Sequence, residues 1–126
     1  MIGDVGLQVV SEGIQYNETL RVITIADAGL TKASIPNFAR SLVNKRFLTK
    51  ILLDMNKIGP EGAKTLAEGL KDNETLTNLH LSHCEILEEG AVSLASALVN
   101  KKNLLVLDLN GNKIMTGGCI AICKAI

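Results

Sequence analysis

One pattern of hydrophobic and polar positions recurs four times along the chain. Leucine or isoleucine occupies alternate or nearly alternate positions in residues 20–25, 48–53, 76–81 and 104–109, which begin 28 residues apart. In the third copy, Leu79 and Leu81 alternate with the polar Asn78, His80 and Ser82. A period of two is typical of a β-strand with one buried face. The pattern therefore predicts four short strands, each beginning a repeated unit.

The segments that follow the strands carry a helical pattern instead. In the second unit, small or apolar residues recur at the spacing i, i+3, i+4 and i+7, which puts them on one helix face: Ala63, Leu66, Ala67 and Leu70. Strands joined through helices run parallel. In the first unit Pro36 falls inside the first turn of the predicted helix, so we expect that helix to start one or two residues late.

The strand pattern continues into a fixed ending, with Asn56, Cys84 and Asn112 at matching positions and Ala28 in the first unit. The resulting template, LxxLxLxx(N/C)x(L/I), resembles the leucine-rich repeat in its 28-residue, ribonuclease-inhibitor-like form, over nearly the whole chain. The resemblance implies an α/β fold, a leucine-rich-repeat solenoid arc with a parallel β-sheet on the concave face and α-helices on the convex face. An amide at the Asn position satisfies backbone groups of the turn and of the neighbouring unit, and these hydrogen bonds form a ladder along the repeats. Ala28 has no side-chain amide, so we expect the ladder to be broken there.

The chain is predicted to form a single leucine-rich-repeat domain over residues 1–126. A helix over 3–16 precedes four strand-helix units that start near residues 20, 48, 76 and 104. Repeat arrays need polar terminal units, and neither end of this chain looks like one. We therefore expect a fragment of a longer array, with at least one flank covered by the parent chain, by a partner or by self-association.

The candidate binding surface follows from the strand alternation. Side chains between the buried positions face the open, concave side of the sheet, and several of them are aliphatic, which folding does not require. We predict that this face or the adjoining loops contact a protein partner; the alternative is that a few exposed aliphatic side chains are ordinary protein surface. The predicted partner-binding residues are Val22, Thr24, Lys50, Leu52, Asp54, Asn78, His80, Ser82, Val106, Asp108 and Asn110.

The amino-acid composition excludes several classes of partner for this surface. Thirteen basic residues balance thirteen acidic ones, so no net charge attracts nucleic acid or an anionic membrane. Aromatic residues make up only 2% of the chain, which excludes the stacking platforms of single-strand readers. No apolar run approaches the roughly 20 residues of a membrane span. Three cysteines, an odd number, indicate a reducing compartment, and a cytoplasmic location is predicted.

Candidate chemistry is sparse. His80, His83 and Cys84 have a spacing that suggests metal ligands, but strand and turn geometry points them in different directions, so no metal and no cofactor are predicted. We expect His80 and Asp108 to share a hydrogen bond across adjacent strands. Cys119 and Cys123 fall in columns, that is, sets of positions 28 residues apart, that are otherwise filled mostly by alanine. We predict that they are small buried core residues.

Three functions are therefore compared. The first is a non-enzymatic protein-interaction module, because chains with this repeat resemble the curved domains of NOD-like receptors and ribonuclease inhibitors. The second is a GTPase-activating regulator, because the Ran GTPase-activating proteins share the repeat length. The third is a purely architectural element of an array. No catalytic residue is predicted for any of the three.

Overall fold

A computed structural model describes residues 1–99 and 101–126 of the chain. Helices and strands alternate along these residues. The elements, in chain order, are α1 (Gly3–Tyr16), β1 (Val22–Thr24), α2 (Ile35–Ser41), β2 (Lys50–Leu52), α3 (Gly59–Leu70), β3 (Asn78–His80), α4 (Leu87–Leu98), β4 (Val106–Asp108) and α5 (Met115–Ala125).

The strands form one parallel sheet whose spatial order, β1-β2-β3-β4, is the order of the chain. Strand pairing aligns each residue with the one 28 positions further on, so that Leu52 lies beside His80 and His80 beside Asp108. The helices pack on one another in the same order, from α1 to α5. Sheet and helices thus form the two faces of the predicted α/β arc, and the predicted fold class is confirmed.

The core lies between the sheet and the helices. Leu79 and Leu81 from the third strand segment are fully buried, and so are Leu66 of α3 and Leu94 of α4. Burial of one such aliphatic side chain contributes roughly 1.5–3 kcal/mol. The periodic leucines therefore contribute to stability by burial, and they lie on the buried side that their spacing predicts.

Buried asparagines connect successive units. Asn56 accepts hydrogen bonds from the backbone amides of Ala28 and Leu30 at 3.0 and 3.1 Å, and its Nδ2 donates to the carbonyl oxygens of Ile25 and Leu53, both at 2.8 Å. Asn112 makes the corresponding bonds to the third unit and to Leu109 of its own unit. These bonds confirm that the amide satisfies the turn of its own unit and that of the preceding one.

Cys84 occupies the same position in the third unit. Its Sγ lies 3.2 Å from the carbonyl oxygen of Leu53, to which the thiol donates. Burial raises the pKa of the Cys84 thiol to about 11. The residue is therefore a neutral hydrogen-bond donor in this ladder.

The first unit departs from the others further than predicted. Helix α2 begins at Ile35, four residues after position 31, whose equivalents in later units are the first residues of α3, α4 and α5. The expectation of a delay of one or two residues is therefore wrong. Pro36 lies at the beginning of α2, where a missing N–H is harmless. The preceding turn is held instead by Asp4, whose carboxylate accepts from the Thr31 amide at 2.8 Å and from the Ser34 hydroxyl at 2.6 Å.

The predicted burial of Cys119 and Cys123 is also wrong, because both side chains are exposed. The equivalent alanines of α4, Ala91 and Ala95, are buried. Among the helices of residues 1–99 and 101–126, α4 packs between α3 and α5, whereas α5 packs against α4 alone. The equivalent residues of α1, Leu7 and Ser11, are buried although α1 also packs against one helix, so it is the helix of the following unit that covers these positions.

Candidate functional site

The open face of the sheet brings together the predicted site residues. The strand residues among them alternate with buried residues such as Ile51 and Leu79, and strand pairing sets them in rows across the sheet. Five of the eleven are exposed and six are half-buried. The exposed ones are Val22, Thr24, Lys50, Val106 and Asn110; the half-buried ones are Leu52, Asp54, Asn78, His80, Ser82 and Asp108.

Apolar side chains lie on the two edge strands of this face and on β2 between them. Val22 on β1 is 47% exposed and Val106 on β4 is 39% exposed, while Leu52 on β2 is half-buried. None of the three belongs to the core between sheet and helices. The face therefore offers aliphatic contacts within a mainly polar surface.

Two carboxylates on this face are held by hydrogen bonds. The Oδ1 atom of Asp54 accepts from the backbone amide of Ser82 at 2.7 Å and from the Ser82 hydroxyl at 2.8 Å. The Oδ1 atom of Asp108 accepts from the backbone amide of Asn110 at 3.0 Å. These bonds restrict the rotation of each carboxylate and leave its second oxygen available.

His80 lies between these carboxylates. Its Nδ1 atom is 3.9 Å from Oδ2 of Asp108, which is an ion-pair distance but too long for a hydrogen bond. The two residues are neighbours on adjacent strands, as predicted, but the predicted hydrogen bond between them is wrong. Ligating atoms of Asp54, His80 and Asp108 all lie within 4.8 Å of one another, so these three side chains could hold a metal ion.

This grouping differs from the one considered from the sequence, which combined His80 with His83 and Cys84. His83 is exposed in the turn, where its backbone has a φ of 52°, and Cys84 is fully buried. The 28-residue spacing already indicated that Asp54, His80 and Asp108 lie near one another. Asp108 follows His80 by one repeat, and Asp54 precedes Ser82 by one repeat, so both carboxylates flank the histidine.

The residues 44–67, 72–95 and 100–123 match the family model described as Leucine Rich repeat, which covers more than half of the chain. The chain therefore belongs to the leucine-rich repeat family. The ribonuclease-inhibitor-like subtype stays a prediction. No curated protein matches the chain.

Leucine-rich repeats are generally protein-interaction modules and are typically non-enzymatic. Within residues 1–99 and 101–126, no helix has the length and apolar character needed to span a bilayer.

Proposed function

We propose that the chain is a non-enzymatic interaction module that binds a protein partner on the concave face of its sheet. The observation that supports this most is the exposure of aliphatic side chains on the open strand face, Val22 and Val106 above all. Their positions alternate with those of the core, so the fold does not require them to be apolar. Covering them with a partner removes apolar surface from water.

The polar residues of the same face suit a protein partner. Lys50, Asn78 and Asn110 surround the aliphatic side chains with hydrogen-bonding groups of both kinds. Protein interfaces combine an apolar centre with a polar rim, and about 800 Å² per partner is typical. A four-stranded face about 15 Å across supplies part of such an area, and the adjoining turns supply the rest.

The test is partner capture with a double variant of this face, Leu52→Lys with Val106→Lys. Two new charges on the aliphatic positions abolish capture of the proteins that the unaltered chain retains from a cell lysate, identified by mass spectrometry. The matched control is Val43→Lys with Val92→Lys, which changes two exposed valines outside the strand face and leaves capture unchanged. Circular dichroism confirms that both variants are folded. Capture that survives the first variant would count against a concave binding site.

An architectural role is a second candidate, supported by one observation. Leu104, Leu107 and Leu109 of the fourth unit are only half-buried, although their equivalents in the third unit are buried. A further repeat-like surface packed against β4 and α5 would cover them. Replacing Leu107 by Lys prevents such association, which sedimentation velocity measures, whereas the concave double variant leaves it intact.

A cytoplasmic location belongs to the same proposal. All three cysteines are free, and two of them are exposed. Exposed free thiols persist in a reducing compartment. Fluorescence microscopy of the tagged chain in cells tests the location, and a signal confined to the secretory pathway would contradict it.

A further inference from the structure

We propose that Asp54, His80 and Asp108 bind one divalent transition-metal ion on the open face of the sheet, with zinc as the ion that fits best. The three side chains come from three successive units and need no partner to complete them. The inference therefore goes beyond the proposed interaction and stands independently of it.

The backbone brings the three ligands together. Pairing of β3 with β4 places His80 beside Asp108, and the backbone amide of Leu81 donates to the carbonyl oxygen of Asp108 at 2.9 Å. On the other side, the amide of Leu53 donates to the carbonyl oxygen of His80 at 2.9 Å, which sets the adjoining Asp54 diagonally across from the imidazole. These bonds continue the sheet beyond the strands, so the relative positions of the three Cα atoms are fixed by the fold.

The distances suit a small metal ion. The ligating atoms lie within 4.8 Å of one another, and Nδ1 of His80 is 3.9 Å from Oδ2 of Asp108. In a tetrahedral zinc site with bonds of about 2.0 Å, the ligand atoms are about 3.3 Å apart. Side-chain movements of about 1 Å, with no change of backbone, therefore close the site around the ion.

Outer hydrogen bonds orient two of the ligands. Ser82 holds Oδ1 of Asp54 through its amide and its hydroxyl, and the Asn110 amide holds Oδ1 of Asp108. Partners of this kind fix the direction in which a ligating carboxylate presents its other oxygen. The two carboxylates are thus partly organised for a ligand between them.

Charge favours a cation at this position. In the described part of the chain, neither Asp54 nor Asp108 forms an ion pair with a lysine or arginine; Lys32 pairs with Glu61, and His80 lies at ion-pair distance from Asp108. The side chains of His80 and Asp108 are only 27% and 38% exposed, so water screens the carboxylates incompletely. A bound dication removes the repulsion between the two carboxylates.

The ligand set selects the class of ion. One imidazole nitrogen with two carboxylate oxygens suits zinc and its neighbours in the first transition series, whereas calcium and magnesium prefer oxygen ligands alone. Three protein ligands leave a fourth position open towards the concave face. When zinc is bound and no partner is present, a water molecule completes the coordination.

The test measures zinc binding by isothermal titration calorimetry in a Cys119→Ser, Cys123→Ser background, because the two exposed thiols of α5 are potential zinc ligands themselves. One zinc ion binds per chain. Replacing His80 by Ala or Asp108 by Asn lowers the affinity about tenfold or more. The matched control is His83→Ala, which removes the other histidine and leaves the affinity unchanged. Calcium and magnesium give no saturable heat.

Two further measurements separate loss of a ligand from loss of the fold. Circular dichroism verifies that the variants are folded, and Asp108→Asn keeps the size of the side chain should His80→Ala disturb the sheet. In nuclear magnetic resonance spectra, the His80 ring signals shift with added zinc and the His83 signals do not.

Absence of saturable zinc binding to the background protein at millimolar metal would overturn the proposal. An equal loss of affinity in His83→Ala and His80→Ala would overturn it as well. Neither result bears on partner capture by the concave double variant, so failure of the metal site and failure of the proposed interaction are told apart.

Discussion

The third unit, residues 76–98, and the fourth unit, residues 104–126, follow one template but differ in how far they are buried. Leu79 and Leu81 are fully buried, whereas their equivalents, Leu107 and Leu109, are half-buried. The alanines of α4 are buried, and the cysteines that replace them in α5 are exposed. Equal sequence patterns therefore produce unequal burial, because each unit completes the core of its neighbours.

The polar ladder behaves differently from the apolar core. Asn112 belongs to the fourth unit and is as buried as Asn56 of the second, each being 2% exposed. Its hydrogen bonds reach back to the third unit, so they need no further neighbour. Apolar burial in this solenoid depends on the unit that follows, since Leu7 of α1 is buried and Leu107 is not, whereas the asparagine bonds depend on the preceding unit.

The largest expected effect is a loss of free energy of unfolding when a core leucine is replaced by alanine and leaves a cavity. This loss differs between the third and fourth units. Leu79→Ala lowers the free energy of unfolding by about 3–4 kcal/mol, because the side chain is fully enclosed. Leu107→Ala lowers it by about 1–2 kcal/mol, because water already reaches that side chain. Urea unfolding followed by circular dichroism measures both. Equal losses would show that neighbour burial does not set the contribution of a leucine.

The next largest loss of stability is expected when the buried asparagines that connect successive units are replaced. Asn112→Ala leaves the backbone amides of Cys84 and Ile86 without their acceptor and costs about 2–3 kcal/mol. Asn56→Ala costs a similar amount, since its bonds to the first unit are equivalent. The same unfolding experiment compares the two variants. A much smaller loss for Asn112→Ala would mean that the fourth unit is loosely attached despite these bonds.

A smaller effect is expected where α1 meets the irregular first unit. Burial raises the pKa of Asp4, but hydrogen bonds from Ser34 and Thr31 outweigh it and leave the pKa below its usual value. Asp4→Asn therefore costs about 1 kcal/mol at neutral pH. Because the folded pKa is depressed, the contribution of Asp4 is present above its unfolded pKa and lost as the pH falls through the folded pKa.

Thermal unfolding of both proteins measured between neutral and strongly acidic pH checks this prediction. The melting temperatures of the unaltered chain and of Asp4→Asn converge as the pH falls. A difference that stays constant over the whole range would rule out the carboxylate as its source.

The smallest effect concerns the backbone at the start of the helices. Gly59 and Leu87 occupy equivalent positions with φ of 70° and 59°, a left-handed conformation that favours glycine. Leu87 is 43% exposed, so Leu87→Gly loses little burial and stabilises the chain by about 0.5 kcal/mol. The reverse change in the second unit, Gly59→Ala, destabilises by about 1 kcal/mol. Differential scanning calorimetry of the pair tests both signs, and a lower melting temperature for Leu87→Gly would refute the account.

The 28-residue period predicted most of the fold correctly. Strand alternation identifies which side chains face the core, because successive side chains of a strand point to opposite faces. A constant repeat length also predicts which strands pair, so Leu52, His80 and Asp108 could be placed in one row before any coordinates. The ribonuclease-inhibitor-like subtype, the single-domain division, the concave binding residues and the GTPase-activating alternative stay predictions.

Three features depend on contacts that no single repeat contains. The late start of α2 arises because Asp4 of α1 holds the turn at Thr31 and Ser34. The exposure of Cys119 arises because, within the described residues, no further helix packs on the side of α5 that faces away from α4. The grouping of Asp54, His80 and Asp108 needs two kinds of neighbour. Asp108 lies directly beside His80 on the adjacent strand, whereas Asp54 approaches His80 diagonally from the other neighbouring unit.

The sequence by itself thus determined the repeated unit, its two elements and the side on which each residue lies, because these follow from local periodicity and one constant spacing. Tertiary structure alone decided how much of each unit is buried and which polar atoms converge. Those properties belong to the space between neighbouring units, where side-chain direction and the presence of a second packed surface determine distance and burial.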